Sequence, residues 1–320
     1  MNIALFGSGY IARAHARAIL EHPVVDLVAA ANWRPESLAR IADEYSIPRT
    51  TTRWEDLAED PSIDAVVIAT PNALHAPQTN ACLRAGKHVL VEKPMATSVA
   101  DCEAMIATAD ESGRVLMVGH CWRFRDEVLR LRERIESGEL GEIVKTRSYG
   151  LHERWAPSGW FTDPQFAGGG ALLDMGVHAI DTTRFLLGDP KPQRVCASVM
   201  RRYGTEAVDD EGILLINWSN GTHSVVESGW WQQHIEGLEA ETEVYGTKGY
   251  ARVFGSIERP PDYKHDSQPM YTAQMAAFVD AAATGVAQKP GGEEGLTVMR
   301  VVEEAYRSSA SLDDTGQLSR

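Results

Sequence analysis

Residues 2–12 constrain the fold more than any other stretch. Asn2-Ile3-Ala4-Leu5-Phe6 is an apolar run of strand type. Gly7-Ser8-Gly9-Tyr10-Ile11-Ala12 follows at once and leads into a helix-forming stretch that reaches Leu20. In that order Gly7 permits the tight turn, Gly9 lets the backbone approach a pyrophosphate, and small Ala12 allows close helix–strand packing. The N–H groups at the helix start, aided by the helix dipole, then face an anion. Glycines also punctuate ordinary turns, so it is the strand before and the helix after that make this a dinucleotide signature, with Ser8, Tyr10 and Ile11 as its other members.

The rhythm set by this unit continues for about 120 residues. Val24–Ala31, Asp64–Ala69, His88–Val91 and Val115–Val118 are short apolar runs suited to strands buried on both faces. Between them Pro35–Tyr45, Pro77–Ala85 and Ser98–Ser112 read as helices. Such alternation predicts a doubly wound parallel sheet with helices on both faces, and right-handed crossovers place its ligand crevice at the carboxyl ends of the strands.

After about Trp122 the pattern changes. An amphipathic helix over Arg125–Ser137 is followed by alternating or apolar segments at Ile143–Tyr149, Arg194–Met200, Gly212–Trp218, Thr222–Gly229 and Glu239–Tyr245. They read as an antiparallel sheet, with Asn220-Gly221 as a hairpin turn. One helix, about Leu172–Leu187, lies between the first two strands, and the helical tail at about 296–311 is expected to pack back on the first domain. The expected division is 1–121 and 122–320.

Composition narrows the partners. With 320 residues, 43% of them hydrophobic, the chain can bury two cores. A net charge of −14 argues against a nucleic-acid surface or an anionic membrane as partner, though not against an anionic cofactor gripped by local N–H groups. Cys82, Cys102, Cys121 and Cys196 form no CxxC pair and read as reduced thiols. No basic-then-apolar leader precedes the first strand and no apolar run reaches membrane length, so a cytoplasmic location is expected.

Three clusters fall where chemistry belongs. Thr70-Pro71-Asn72 with His75 ends one strand, and Glu92-Lys93-Pro94 ends another. Gly168-Gly169-Gly170, Asp174, His178 and Asp181 lie in the second half. In an α-helix starting near Leu172, Asp174 and His178 stand at i and i+4 and share a face. Asp174, His178 and Asp181 lack a complementary set of ligands at useful spacing, so no metal is expected.

Together these segments resemble the glucose-fructose oxidoreductase/inositol dehydrogenase/MocA (Gfo/Idh/MocA) family across nearly the whole chain. The Glu92-Lys93-Pro94 and Asp174-x-x-x-His178 patterns are far more specific than the glycine fingerprint. The resemblance implies an α/β protein: an N-terminal Rossmann domain, then a C-terminal α/β domain with a large open, mostly antiparallel sheet. It implies a homodimer or homotetramer built on that sheet, and hydride exchange between a nicotinamide cofactor and a sugar, cyclitol or related polyol.

The residue types suit that chemistry. Oxidising a secondary alcohol requires loss of a hydride and of the hydroxyl proton. A lysine such as Lys93 can position the reacting oxygen and stabilise alkoxide charge, and an imidazole near neutrality can take the proton. His178 is assigned as the principal acid/base, Lys93 as its oxygen-positioning partner and Asp174 as the orienter; Lys93 and His178 can exchange these roles. At the second strand end Asn32-Trp33-Arg34 replaces the acid that would bind an NAD ribose, which tilts the expectation towards NADP without excluding NAD. Among the aromatic and basic residues His120, Trp122, Arg123, Phe124, His152, Arg154, Trp155 and Trp160, Arg123 is assigned to the cofactor and His152 and Trp160 to the substrate. Two other readings share the fingerprint: a hydrolase that uses nicotinamide transiently to cleave a glycosidic bond, and a non-catalytic regulator that binds cofactor or sugar.

Overall fold

The computed structural model describes residues 1–152, 157–202, 207–230, 232, 240–254, 267–286 and 288–314. By its contacts the chain divides into two units, Met1–Phe124 with His265–Leu296, and Arg125–Lys264 with Thr297–Arg320. Among the described residues no helix is long and apolar enough to cross a membrane.

The first unit is a parallel sheet of β1 (Asn2–Phe6), β2 (Asp26–Ala31), β3 (Thr50–Thr51), β4 (Ala65–Ile68), β5 (His88–Glu92) and β6 (Leu116–Gly119). Their order, β3-β2-β1-β4-β5-β6, is that of a Rossmann fold. The strands read as apolar runs because both faces are covered: every residue of β4 and β6 is buried. The helices are α1 (Tyr10–Glu21), α2 (Pro35–Tyr45), α3 (Trp54–Ala58), α4 (His75–Arg84) and α5 (Val99–Ser112). Local chemistry sets their ends: Pro35 opens α2, while the Ser98 hydroxyl accepts the Asp101 N–H at 3.1 Å to cap α5.

The second unit opens with α6 (Asp126–Glu136) and β7 (Ile143–Leu151), followed by α7 (Pro164–Ala167). A π-helical turn, Leu172–Gly176, runs into α8 (Val177–Leu186). Then come β8 (Pro192–Met200), β9 (Glu211–Trp218), β10 (His223–Gly229), β11 (Ala240–Gly246) and β12 (Tyr250–Arg252). The six strands order as β12-β11-β7-β10-β9-β8, antiparallel throughout except for parallel β7 and β10. The Asn220-Gly221 turn joins β9 to β10 as expected, its left-handed Gly221 at φ +84°. α8 covers one face of β7, β10 and β11. The hydroxyls beneath it satisfy one another: Thr146 pairs with Ser224 at 2.6 Å and Ser148 with Thr242 at 2.8 Å.

Two elements complete the units. α9 (Gln268–Thr284), which the sequence reading did not anticipate, packs on α1, and its Met270, Met275 and Phe278 share a core with Ala12, Ala16 and Ile19. α10 (Gly292–Asp314) begins in the first unit and passes at Thr297 into the second. There Ser308 and Ser309 accept the Ala197 and Val199 N–H groups of edge strand β8, at 3.3 and 2.9 Å.

Candidate functional site

In the first unit the parallel sheet brings the ends of β1, β2, β4, β5 and β6 to one edge, and the residues expected there arrive together. Gly7 has φ +110°, and a Cβ on it would lie 2.3 Å from the Ala69 oxygen, so only glycine fits. Gly9 faces open space and caps α1, whose first turn carries no acidic residue and receives no side-chain cap. The orphan N–H groups there suit a phosphate, and the backbone fits a pyrophosphate. Ser8 is buried; its hydroxyl accepts a short hydrogen bond from the Asn32 amide and donates to Ser37 Oγ at 2.8 Å. Beside it Tyr10 and Trp33 are exposed aromatic rings, and the Arg34 guanidinium lies 4.5 Å from the Trp33 centroid.

The loops after β4 and β5 are tied by His75. Its Nδ1 lies 2.8 Å from the Pro94 carbonyl oxygen and its Nε2 2.9 Å from that of Thr70. Both partners are acceptors, whereas a neutral imidazole carries a single N–H. Burial nonetheless holds its pKa below the ordinary 6.5, against the pull of those carbonyls and of Glu92. Thr70 also donates to Gln78 Oε1 at 2.7 Å, and Asn72 is buried in the same loop. Lys93 is half-buried at the carboxyl end of β5, and the peptide joining it to Pro94 is cis. Arg123 is buried beyond β6, its N–H donating to the His120 carbonyl at 3.2 Å.

Glu92 turns inward. Its carboxylate meets the buried His15 Nε2 at 2.7 Å and accepts the Lys93 N–H at 3.2 Å. His15, which the sequence reading missed, stands four residues from both Ile11 and Ile19 on α1. An imidazole at that spacing on an apolar stripe was the available signal.

In the second unit Asp174 does not sit on a regular α-helix as the spacing assumed. The Leu172–Gly176 turn is π-helical, with the Val177 N–H reaching back to the Leu172 carbonyl, and His178 follows, buried, in the first turn of α8. Just upstream, Gly170 is pressed so closely on Asp209 that a Cβ would overlap its carbonyl oxygen. The Asp174 carboxylate accepts the Trp230 indole N–H at 3.0 Å and lies 3.6 Å from His152 Nε2. His152 therefore stands at Asp174. Trp160 is half-buried and stacks on Phe161 at 3.8 Å between centroids. Arg154 and Trp155 lie outside the described residues.

Asp209 and Trp230 were also missed. Buried Asp209 accepts the N–H groups of Gly170 and Leu172 at 2.7 and 2.8 Å and the Tyr306 hydroxyl at 2.6 Å. Burial raises the pKa of its carboxyl, and those donors oppose the rise. The only signal was an acidic pair, Asp209-Asp210, directly before an apolar strand.

Comparison with known proteins agrees with this architecture. Residues 1–120 match the model of the oxidoreductase family with an NAD-binding Rossmann fold, and residues 128–252 match the GFO/IDH/MocA C-terminal domain. The chain is 31% identical to 1,5-anhydro-D-fructose reductase of Ensifer adhaerens, over 98% of each chain. It is 30% identical to scyllo-inositol 2-dehydrogenase (NADP(+)) of Bacillus subtilis, over 85% of this chain and 88% of that one. A levoglucosan dehydrogenase solved with NADH and levoglucosan superposes with a TM-score of 0.87 at 26% identity, covering 97% of each chain. The chain belongs to the Gfo/Idh/MocA family of NAD(P)-dependent sugar and inositol oxidoreductases.

Proposed function

We propose that this chain interconverts a secondary alcohol and a ketone on a sugar, cyclitol or related polyol, with NADP(H) preferred over NAD(H). The observation that carries the reading is the position of Lys93 at the carboxyl end of β5, on the same sheet edge as the Gly7–Gly9 cradle after β1, with β4 alone between the two strands. A group there reaches the substrate end of a dinucleotide laid across that edge. Gly7, Gly9 and the N–H groups of the first turn of α1 would hold the pyrophosphate, with Ser8, Tyr10, Ile11, Thr70, Pro71, Asn72, His75, Glu92 and Arg123 forming and supporting the rest of the groove. The nicotinamide supplies the hydride acceptor or donor.

The chain's own residues handle the oxygen and the proton. Lys93 Nζ donates to the reacting oxygen and stabilises its developing negative charge. His178 takes the hydroxyl proton in the oxidising direction and returns it in reduction. Asp174, an acceptor fixed by the Trp230 indole, orients His178 or a neighbouring hydroxyl; His152 beside it and Trp160 face the sugar. For the cofactor, Asn32 places no carboxylate against a 2′-phosphate, and Arg34 on the exposed Trp33 ring offers it a cation.

Turnover decides this reading. Reduced-nicotinamide absorbance is followed with 1,5-anhydro-D-fructose, levoglucosan, scyllo-inositol and myo-inositol, each with both cofactors. Sustained net change with at least one, faster with NADP(H), is expected. Sugar cleavage without net redox change would assign a hydrolase, and cofactor binding with no turnover of any member would assign a regulator.

The open face of the second sheet supports a homo-oligomer. Ile213 and Leu215 of β9 are 46% and 49% exposed, and the register sets Leu215 beside Val225 and Cys196. Leu215→Glu is expected to lower the mass in sedimentation, and an unchanged mass would remove this face from assembly.

A further inference from the structure

The corner Val208-Asp209-Asp210 grips the Asp174 turn by two separate routes. On one side the Asp209 carboxylate accepts the N–H groups of Gly170 and Leu172, its carbonyl accepts that of Ala171 at 2.9 Å, and the Gly170 carbonyl in turn accepts the Asp174 N–H at 2.9 Å. On the other side the Asp210 carbonyl accepts the Trp230 N–H at 2.9 Å, and the Trp230 indole holds the Asp174 carboxylate. Ala171, Val208 and Trp230 are buried against one another, which closes the bracket. Tyr306 of α10 anchors it from outside through its hydroxyl bond to Asp209.

A buried carboxylate is an expensive way to hold a loop, because burial alone raises its pKa and an apolar residue would fill the space without that cost. What the carboxylate supplies is direction: three donors converge on its two oxygens, fixing the Gly170–Leu172 backbone and hence the start of the π-helical turn. We infer that Asp209 and Trp230 are positioning residues, acting on turnover through Asp174 without touching substrate or cofactor. This rests on Asp174 serving the reaction proposed above.

The test is a double-mutant cycle on the most rapidly turned over member of the substrate panel. Trp230→Phe keeps the buried ring and removes the N–H. Asp209→Asn keeps the shape and puts an amide where an acceptor is needed. Each is expected to lower kcat about 10-fold or more while leaving the NADPH dissociation constant within about twofold, since hydrogen bonds to charged groups are the stronger class. In an Asp174→Asn background each should cost less than about threefold further, because the group they place is already lost. Tyr306→Phe, which retains the ring, serves as the milder variant if Asp209→Asn fails to fold. Undiminished losses in the Asp174→Asn background would make these residues structural only and overturn the inference while leaving Asp174 catalytic. Wild-type turnover in Asp174→Asn itself would overturn both.

Discussion

The two units hold their candidate ligand-binding groups by different means. In the first, the proposed phosphate cradle is backbone: a positive φ at Gly7 that only glycine satisfies, and a helix start that receives no side-chain cap, at the carboxyl edge of the sheet. In the second, the candidate group is a side chain, Asp174, held by residues 35 and 56 positions away in sequence, Asp209 acting through the backbone and Trp230 directly. The first arrangement is local in sequence, the cradle lying wholly within residues 7–12. The second is long-range and depends on buried polar contacts, each costly to lose.

Breaking the first arrangement should have the largest effect. Gly7→Val places a Cβ 2.3 Å from the Ala69 oxygen at a φ of +110°, so both cofactor binding and the fold of the first unit are expected to suffer. Backbone strain alone is about 1–3 kcal/mol, before the clash. Nicotinamide fluorescence titration and thermal melting check it; a stable variant with normal affinity would show that the cradle is not where phosphates bind. Lys93→Ala comes next. Turnover should fall about 100-fold or more with cofactor affinity retained, as loss of one acid–base or electrostatic contact implies. Turnover like that of the wild type would remove Lys93 from the chemistry.

Arg34→Ala sharpens the comparison within the first unit, because it removes a side chain beside a cradle made of backbone. Loss of a charge-assisted pair of about 1.5–3 kcal/mol should weaken NADPH about 10- to 150-fold and leave NADH nearly unchanged. Equal changes for both cofactors would show that Arg34 does not read the phosphate. The smallest effect is one of pH. Burial sets the folded-state pKa of His75 below 6.5, so the unfolded chain takes up a proton first as pH falls. The stability His75 contributes is complete above about 6.5 and declines with falling pH until its folded pKa is reached, by at most about 1.4 kcal/mol per pH unit. Melting curves at pH 7 and 5.5 should converge in His75→Gln relative to wild type, and parallel curves would contradict this.

The same contrast explains what the sequence disclosed. The α2 bounds were legible to the residue, Pro35–Tyr45, because Pro35 and its apolar spacing are local signals, and β1 was legible for the same reason. α9 escaped because small and apolar residues surround it almost entirely, leaving no polar face to mark its period. The parallel pairing of β7 with β10 carries no local signature, since alternation looks the same in either direction. The motifs that mark Lys93, Asp174 and His178 as candidates are local and could be read directly. The groups that set Asp174 in place could not, because a contact across 56 residues leaves no spacing to read. The π-helical turn was hidden likewise, because Asp174 and His178 stand at ordinary α-helical spacing in the sequence.

Asp174→Asn tests the division of labour most directly, with NADPH affinity and turnover of the best panel substrate measured on the same preparation. The account predicts a dissociation constant within about twofold of wild type and a kcat lowered about 100-fold or more, as for loss of one essential acid–base partner. Unchanged turnover, or affinity and turnover falling together, would contradict it.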